Sequence, residues 1–296
     1  MPTPGGFALA GTLTLPHGAA GPVPVVITIS ASGPQTRDEP LSRGYRFFAQ
    51  LADTLGRRGI GVLRLDDRGV GGSGGDFDTA TSRDFADDVQ AALAWLRSRA
   101  ATQRDVDSGR LALLGHSEGG LVAPMVAAND SALGAVVLLA GPAYPGRRIL
   151  ESQLQDEIRA DASRAGAQLD SMLASSPWMR FFGSYDPLPT ARRVRVPVLI
   201  LHGTTDKQVT PEQADTLAAA IRSGGNRAVT VRLIPATNHL FLADTSGAPS
   251  GYGRLPSKLV GPAVLGPVVE WLVTQLDAAA ITPPAGSGPG RGAGRR

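Results

Sequence analysis

The chain of 296 residues contains no cysteine. That excludes disulfide staples, thiolate metal sites and a cysteine nucleophile. It has only four histidines, so a reaction that needs an imidazole has few places to find one. No apolar run approaches the roughly 20 residues of a membrane-spanning helix, and no transmembrane span is expected. The opening Met1-Pro2-Thr3-Pro4-Gly5-Gly6 carries neither a charged leader nor an apolar segment, so no secretory signal is visible. The compartment stays open: the expectation is a soluble chain, cytoplasmic by default and secreted if a leader has been removed. The body also lacks a surplus of either charge. The chain has 29 basic and 26 acidic residues, and Arg291, Arg295 and Arg296 sit in an acid-free tail; without them the balance is 26 against 26. A neutral body gives no electrostatic case for nucleic acid as a partner.

What is present is a rhythm of short buried strands and amphipathic helices. Phe7 to Leu15 alternates apolar with small or polar residues and reads as a hairpin strand. Val25-Val26-Ile27-Thr28-Ile29, Gly61 to Leu65, Leu111 to Leu114, Ala135 to Leu139, Val196 to Leu201 and Val229 to Ile234 are compact apolar runs, the signature of parallel strands covered on both faces. Helical patterns run over 45–58, 85–99, 121–127, 212–222 and 259–276. This alternation predicts an α/β fold with a mostly parallel sheet flanked by helices. The rhythm breaks at Pro142. One long helical pattern then runs from Arg147 to Ala174 through Ile158, and Pro177 to Tyr185 holds four aromatics in eight positions, at 178, 181, 182 and 185. The expected organisation is a core of residues 1–141 and 194–280, a small helical cap inserted at 142–193, and a disordered tail at 281–296.

Ser117 lies in Gly115-His116-Ser117-Glu118-Gly119, behind one apolar strand and ahead of the helical run Leu121 to Ala127. Strand, sharp turn and helix with a serine at the turn is the setting of an exposed nucleophile. A second Gly-x-Ser-x-Gly, Gly71 to Gly75, fails this test: Ser73 is followed by Asp76-Phe77-Asp78-Thr79, not by an apolar helix.

A serine hydroxyl needs a base. His17 falls in the N-terminal turn, His116 neighbours the serine on a tight turn and points away, and His202 ends a strand. His239, in a loop past the last strand, remains as general base. The acid should fall between serine and histidine in this chain order. Asp206, in the turn after the strand ending at Leu201, is the candidate, with Asp186 in reserve. An oxyanion would be held by two backbone N–H groups: that of Glu118, and one from the loop Ser30-Ala31-Ser32-Gly33-Pro34, for which Ser32 is favoured. The Glu118 carboxylate is expected near the helix N-terminus and that loop, without acid–base duty. Trp178, Phe181 and Phe182 are candidates to line the substrate pocket, with simple anchoring of the cap as the competing reading. No metal or cofactor is called for.

Together these residues resemble the α/β-hydrolase superfamily, and within it bacterial serine carboxylesterases related to dienelactone-hydrolase-like and prolyl-oligopeptidase-like enzymes. The resemblance rests on Ala31-Ser32-Gly33-Pro34-Gln35-Thr36-Arg37-Asp38, Gly115 to Gly120, Asp66 to Ser73, Ser184-Tyr185-Asp186-Pro187 and Asn238-His239-Leu240-Phe241. Ala31 stands where the pattern has glycine, and the N-terminus is short enough for a first edge strand or upstream targeting segment to be absent. The resemblance implies hydrolysis of a small-molecule ester of short to medium acyl chain through an acyl-enzyme. Asp66, Arg68, Arg37 and Asp38 are then loop braces. Alternatives are a peptidase or acyl-CoA thioesterase with the same triad, for which Arg147 and Arg148 offer anchors, and a hydrolase-fold binding protein of negligible turnover. Oligomeric state is left open.

Overall fold

The computed structural model describes residues 1–154, 159 and 161–278. The tail expected at 281–296, core positions 279–280 and Ile158 lie outside the described residues.

The strands are β1 (Gly11–Thr14), β2 (Val23–Ile29), β3 (Gly61–Leu65), β4 (Val106–His116), β5 (Ala135–Leu139), β6 (Val198–Gly203) and β7 (Val229–Ile234). They form one sheet in the order β1-β3-β2-β4-β5-β6-β7. All neighbours are parallel except β1 against β3. The helices are α1 (Phe47–Gly56), α2 (Ser82–Gln103), α3 (Glu118–Ala127), α4 (Gly146–Gln153), α5 (Ala162–Ala174), α6 (Pro177–Ser184), α7 (Leu188–Ala191), α8 (Glu212–Ser223) and α9 (Pro262–Gln275). No helix among the described residues is long and apolar enough to cross a membrane.

Successive residues of a strand point to opposite faces, and the strands use this to fill two cores. Val25, Ile27, Leu113, Val136, Leu138, Val198 and Ile200 pack with Ala86, Val89, Leu93 and Leu96 of α2 and with residues of α3 and α8. Val26, Ala112, Leu114, Val137, Leu139, Leu199 and Leu201 pack with Phe47, Phe48, Leu51 and Leu55 of α1 and with α9. Both faces are covered, which is why these strands read as unbroken apolar runs. Because β4, β6 and β7 run parallel, their carboxyl ends open onto one edge of the sheet, where ligands of such folds gather.

Two expectations are corrected here. The N-terminal segment is not a hairpin strand beside its sequence neighbour: β1 is four residues long and pairs with β3, Gly11 opposite Leu65. Both edges of β2 are occupied by β3 and β4, so the early strand can add only outside β3. The long helix expected over Arg147 to Ala174 is interrupted. Leu154 ends α4, and Asp161 is extended (φ −155°, ψ 93°) with its side chain accepting the Arg164 N–H. An aspartate cap satisfies a free N–H at a helix start and so favours a new helix over continuation.

Candidate active site

The Ser117 elbow is built by close approach. A Cβ at Gly119 would lie 2.1 Å from the Ile29 carbonyl oxygen, and one at Gly115 would lie 2.0 Å from that of Gly119. Only glycine permits the turn to press so tightly between β2 and α3. Ser117 itself has φ 52° and ψ −113°, a left-handed-side conformation that is costly for a serine and persists only when its surroundings enforce it. The Ser117 N–H donates to the Leu139 carbonyl at 2.8 Å, which pins the elbow to β5.

The hydroxyl this turn presents is 2.9 Å from His239 Nε2, and His239 Nδ1 is 2.7 Å from Asp206 Oδ2. Asp206 follows β6 and His239 follows β7, so three strand ends supply the three groups. Each is braced. Asp206 Oδ1 accepts the N–H groups of Gln208 and Val209 at 2.8 and 3.0 Å. Asn238 Oδ1 accepts the N–H groups of Leu240 and Leu242, which folds the histidine loop around a buried amide. Burial alone would push the Asp206 carboxyl up, but the charge of His239 and hydrogen bonds from His202 and His239 hold it well below the ordinary carboxylate range. It is therefore an anion facing an imidazole N–H.

Of the proposed oxyanion donors, the Glu118 N–H opens α3, where N–H groups lack intrahelical acceptors. In the other loop, the Ala31 N–H donates to Glu39 Oε1 at 2.8 Å. Among the described residues the Ser32 N–H, next along, has no acceptor, and Ser32 is exposed. The loop is held by Asp67, whose oxygens accept from Ser30 Oγ at 2.7 Å and the Gln35 N–H at 2.9 Å. It is also held by an Arg37–Asp66 fork with contacts of 3.0 and 2.7 Å. Asp38 pairs with Arg46 and Arg64, and Arg68 with Asp84 and Asp88 of α2. Ser73 Oγ donates to the Asp66 carbonyl and accepts the Ala10 N–H, a loop role.

The profile of the prolyl oligopeptidase family matches residues 45–254, well over half of the chain. The chain belongs to this family. A curated relative, esterase EstD of Thermotoga maritima, is 26% identical over 90% of this chain and 65% of its own length. Dipeptidyl aminopeptidase BIII of Pseudoxanthomonas mexicana is 28% identical over 79% of this chain. This chain thus spans just under two thirds of the first relative and about one third (34%) of the second. The solved structure of the α/β hydrolase GrgF from Penicillium sp. superposes with a TM-score of 0.64 at 17% identity, covering 94% of this chain and 97% of that one. The fold is that of the α/β hydrolases.

Within this prolyl oligopeptidase family chain, several residues fall where the sequence pattern does not put them. The Glu118 side chain shares one small cavity with Ser30 and Ala31, but its hydrogen-bond donors come from elsewhere: Oε1 accepts from Ser82 Oγ and from Trp178 Nε1, both at 2.6 Å. A buried indole N–H needs an acceptor, and Trp178 of α6 finds it at the residue after Ser117. Of the aromatic trio, only Trp178 reaches the elbow in this way. Phe182 stacks on Trp178 at 5.0 Å and abuts Gly146, while Phe181 stacks on Tyr185 at 5.0 Å and lies under Arg83. Asp186 is exposed and accepts the Leu188 N–H at the start of α7. His202 Nε2 lies 2.7 Å from the Val209 carbonyl and 3.3 Å from Asp206. Glu39, absent from every pattern, is buried between the elbow and the Ser30–Pro34 loop. Its only signal is adjacency to Arg37-Asp38.

Glu118 and Asp67 wall one cavity of about 30 Å³ beside the elbow. Burial pushes Glu118 up to about 7, against the hydrogen bonds from Ser82 and Trp178. Burial likewise pushes Asp67 up to about 7, opposed by Ser30 and the Gln35 N–H and helped by the charges of Glu118 and Glu39. For Glu118 the folded chain holds a proton that the unfolded chain, near its ordinary 4.5, has released. Stability therefore falls as pH rises from about 4.5 to about 7, by on the order of 3 kcal/mol for this group. Glu118→Gln keeps an acceptor for Ser82 and Trp178 but cannot ionise. Thermal melts between pH 5 and 7 are expected to be flatter for the variant than for wild type, with the Asp67 slope remaining in both. Parallel melting curves across that range would remove the claim.

Proposed function

We propose that this chain is a serine hydrolase that cleaves small carboxylic esters, of short to medium acyl chain, through a covalent acyl-enzyme. The observation that carries this is the relay Ser117 Oγ–His239 Nε2–Asp206 at 2.9 and 2.7 Å on a strained elbow. Its chemistry follows from the atoms present. His239 Nε2 takes the hydroxyl proton as Ser117 Oγ bonds to the ester carbonyl carbon. Asp206 accepts a hydrogen bond from Nδ1–H, stays ionised and stabilises the imidazolium. The oxygen that gains charge is met by the N–H groups of Glu118 and Ser32. The imidazolium gives its proton to the departing alkoxide, and the C–O bond breaks. Water, deprotonated by His239, attacks the acyl carbon; the imidazolium returns that proton to Ser117 Oγ as the acyl C–Oγ bond breaks, and the acid leaves. No metal or organic cofactor is needed for any step.

The similarity to esterase EstD over most of this chain supports ester substrates. Peptide cleavage is the second reading, because the family and one curated relative are named for it. That reading needs a charged anchor for a substrate terminus. The candidate cations are already engaged: Arg147 pairs with Glu151 and Asp170, and Arg148 lies 3.6 Å over the Tyr144 ring. A series of p-nitrophenyl esters from acetate to palmitate, run beside dipeptidyl p-nitroanilides, tests the choice. The expected result is turnover that peaks at short to medium acyl chains, negligible anilide cleavage, and stoichiometric labelling by a fluorophosphonate. Absence of both turnover and labelling would leave a hydrolase-fold binding protein; preferential anilide cleavage would establish the peptidase.

A further inference from the structure

Behind the relay lies a second pair of titratable side chains that takes no part in proton transfer to substrate. Glu39 and His116 are both fully buried, 0% exposed. Glu39 Oε1 is 2.9 Å from His116 Nδ1 and also accepts the Ala31 N–H at 2.8 Å. His116 Nε2 is 2.9 Å from the carbonyl oxygen of His239. Glu39 is held there in a left-handed backbone conformation, φ 54°, which costs on the order of 1 kcal/mol or more for a residue other than glycine. Among the described residues its Oε2 has no partner. A strained, buried, half-satisfied carboxylate is an expensive arrangement that hydrophobic side chains would replace at less cost.

The contacts and the surrounding charges together favour a doubly protonated His116 ring. A carbonyl only accepts, so His116 Nε2 carries hydrogen. Glu39 Oε1 already accepts from Ala31, and its contact with Nδ1 requires one more proton, which the imidazole holds against the carboxylate. Burial, the largest influence, opposes this, but the charge and hydrogen bond of Glu39 and the His239 carbonyl raise the His116 pKa. The other ionisable groups around the pair are Asp206, Asp67, Tyr45 and His239, whose ring is 5.2 Å away. The remaining walls are Phe47 and Phe241.

We propose that Glu39 and His116 are positioning residues that lock three separate loops into one geometry for the reaction. The pair joins the Ser30–Pro34 loop through Ala31, the elbow through His116, and the histidine loop through the backbone of His239. It also withdraws the Ala31 N–H from the oxyanion, leaving Ser32 as that loop's donor. This inference rests on the serine-hydrolase reading above. Its physical basis is that displacement of a donor or base by about 1 Å costs up to 100-fold in rate.

The test compares Glu39→Ala, Glu39→Gln, His116→Ala and the Glu39→Ala/His116→Ala double variant with wild type on one p-nitrophenyl ester. Both contacts fall on Glu39 Oε1, and a glutamine that keeps its oxygen there can still accept from the Ala31 N–H and from a protonated His116 Nδ1 without carrying the charge. Glu39→Ala is expected to lower kcat about 10–100-fold with KM within about threefold. Glu39→Gln should recover most of that loss, and the double variant should be no slower than the slower single. Nitrogen-15 NMR of the histidine rings should show two ring N–H groups on His116 in wild type. Unchanged kcat in Glu39→Ala, or losses that add in the double variant, would overturn the proposal. Wild-type turnover is read first: its absence defeats the hydrolase reading instead. The ring protons still test the pair in that case, and a singly protonated wild-type His116 overturns it.

Discussion

Ser117→Ala is expected to lower kcat for p-nitrophenyl esters by about 10⁵–10⁶-fold while leaving the melting temperature unchanged. The substitution removes one oxygen atom. That oxygen's contact is His239 Nε2; the N–H of residue 117 still donates to Leu139 and its carbonyl still accepts from Gly120. The strained φ of 52° is no harder for alanine than for serine. Activity and folding are therefore separable at this position, which is unusual for a half-buried residue in a turn this tight. Residual catalysis above the uncatalysed rate would come from the oxyanion donors alone. Turnover above about one hundredth of wild type would mean that another group attacks the ester.

Asp206→Asn is expected to reduce kcat by about 10⁴-fold, through the tautomer of His239 and not through loss of shape. Asp206 Oδ1 accepts two backbone N–H groups, from Gln208 and Val209. An asparagine must keep its carbonyl oxygen there, which turns its NH₂ toward His239 Nδ1. Nδ1 must then accept, and the ring proton moves to Nε2, facing Ser117. The base is left with no lone pair toward the hydroxyl. The same NH₂ also meets His202 Nε2, which lies 2.7 Å from the Val209 carbonyl and so carries hydrogen. That clash of donors is expected to cost roughly 1–3 kcal/mol of stability. The pH dependence gives a second handle. The Asp206 carboxyl titrates well below its ordinary value, so its stabilisation is present above about pH 4 and is lost as pH falls further toward the folded-state pKa. The asparagine variant lacks this loss and should melt with a shallower acid limb. Wild-type kcat in Asp206→Asn would remove Asp206 from the relay.

Much of the fold was legible because burial on both faces leaves a mark in the chain. β2, β5 and β6 are buried along their whole length and read as near-continuous apolar runs, and α2 shows its core face as Ala86, Val89, Leu93 and Leu96. The elbow was legible because two backbones crowd Gly115 and Gly119, and close approach restricts the residue type. The edge strand was misread because four half-buried residues carry no information about their partner; that was decided by the occupancy of β2 on both sides. The break before α5 was misread because apolar spacing continues through it, whereas a single aspartate cap redirects the chain.

From the amino-acid order alone come the α/β alternation, the neutral body, and the candidates Ser117, Asp206 and His239, since each rests on local pattern or on chain order. Tertiary structure alone decided what those residues touch. It set the 2.7 and 2.9 Å spacings, turned Glu118 onto Trp178, and placed Glu39 against His116 from 77 positions away. The physical reason is that a hydrogen bond between distant segments depends on angles and distances of a few tenths of an ångström. Those are fixed by how the whole sheet packs, and no short stretch of chain encodes them.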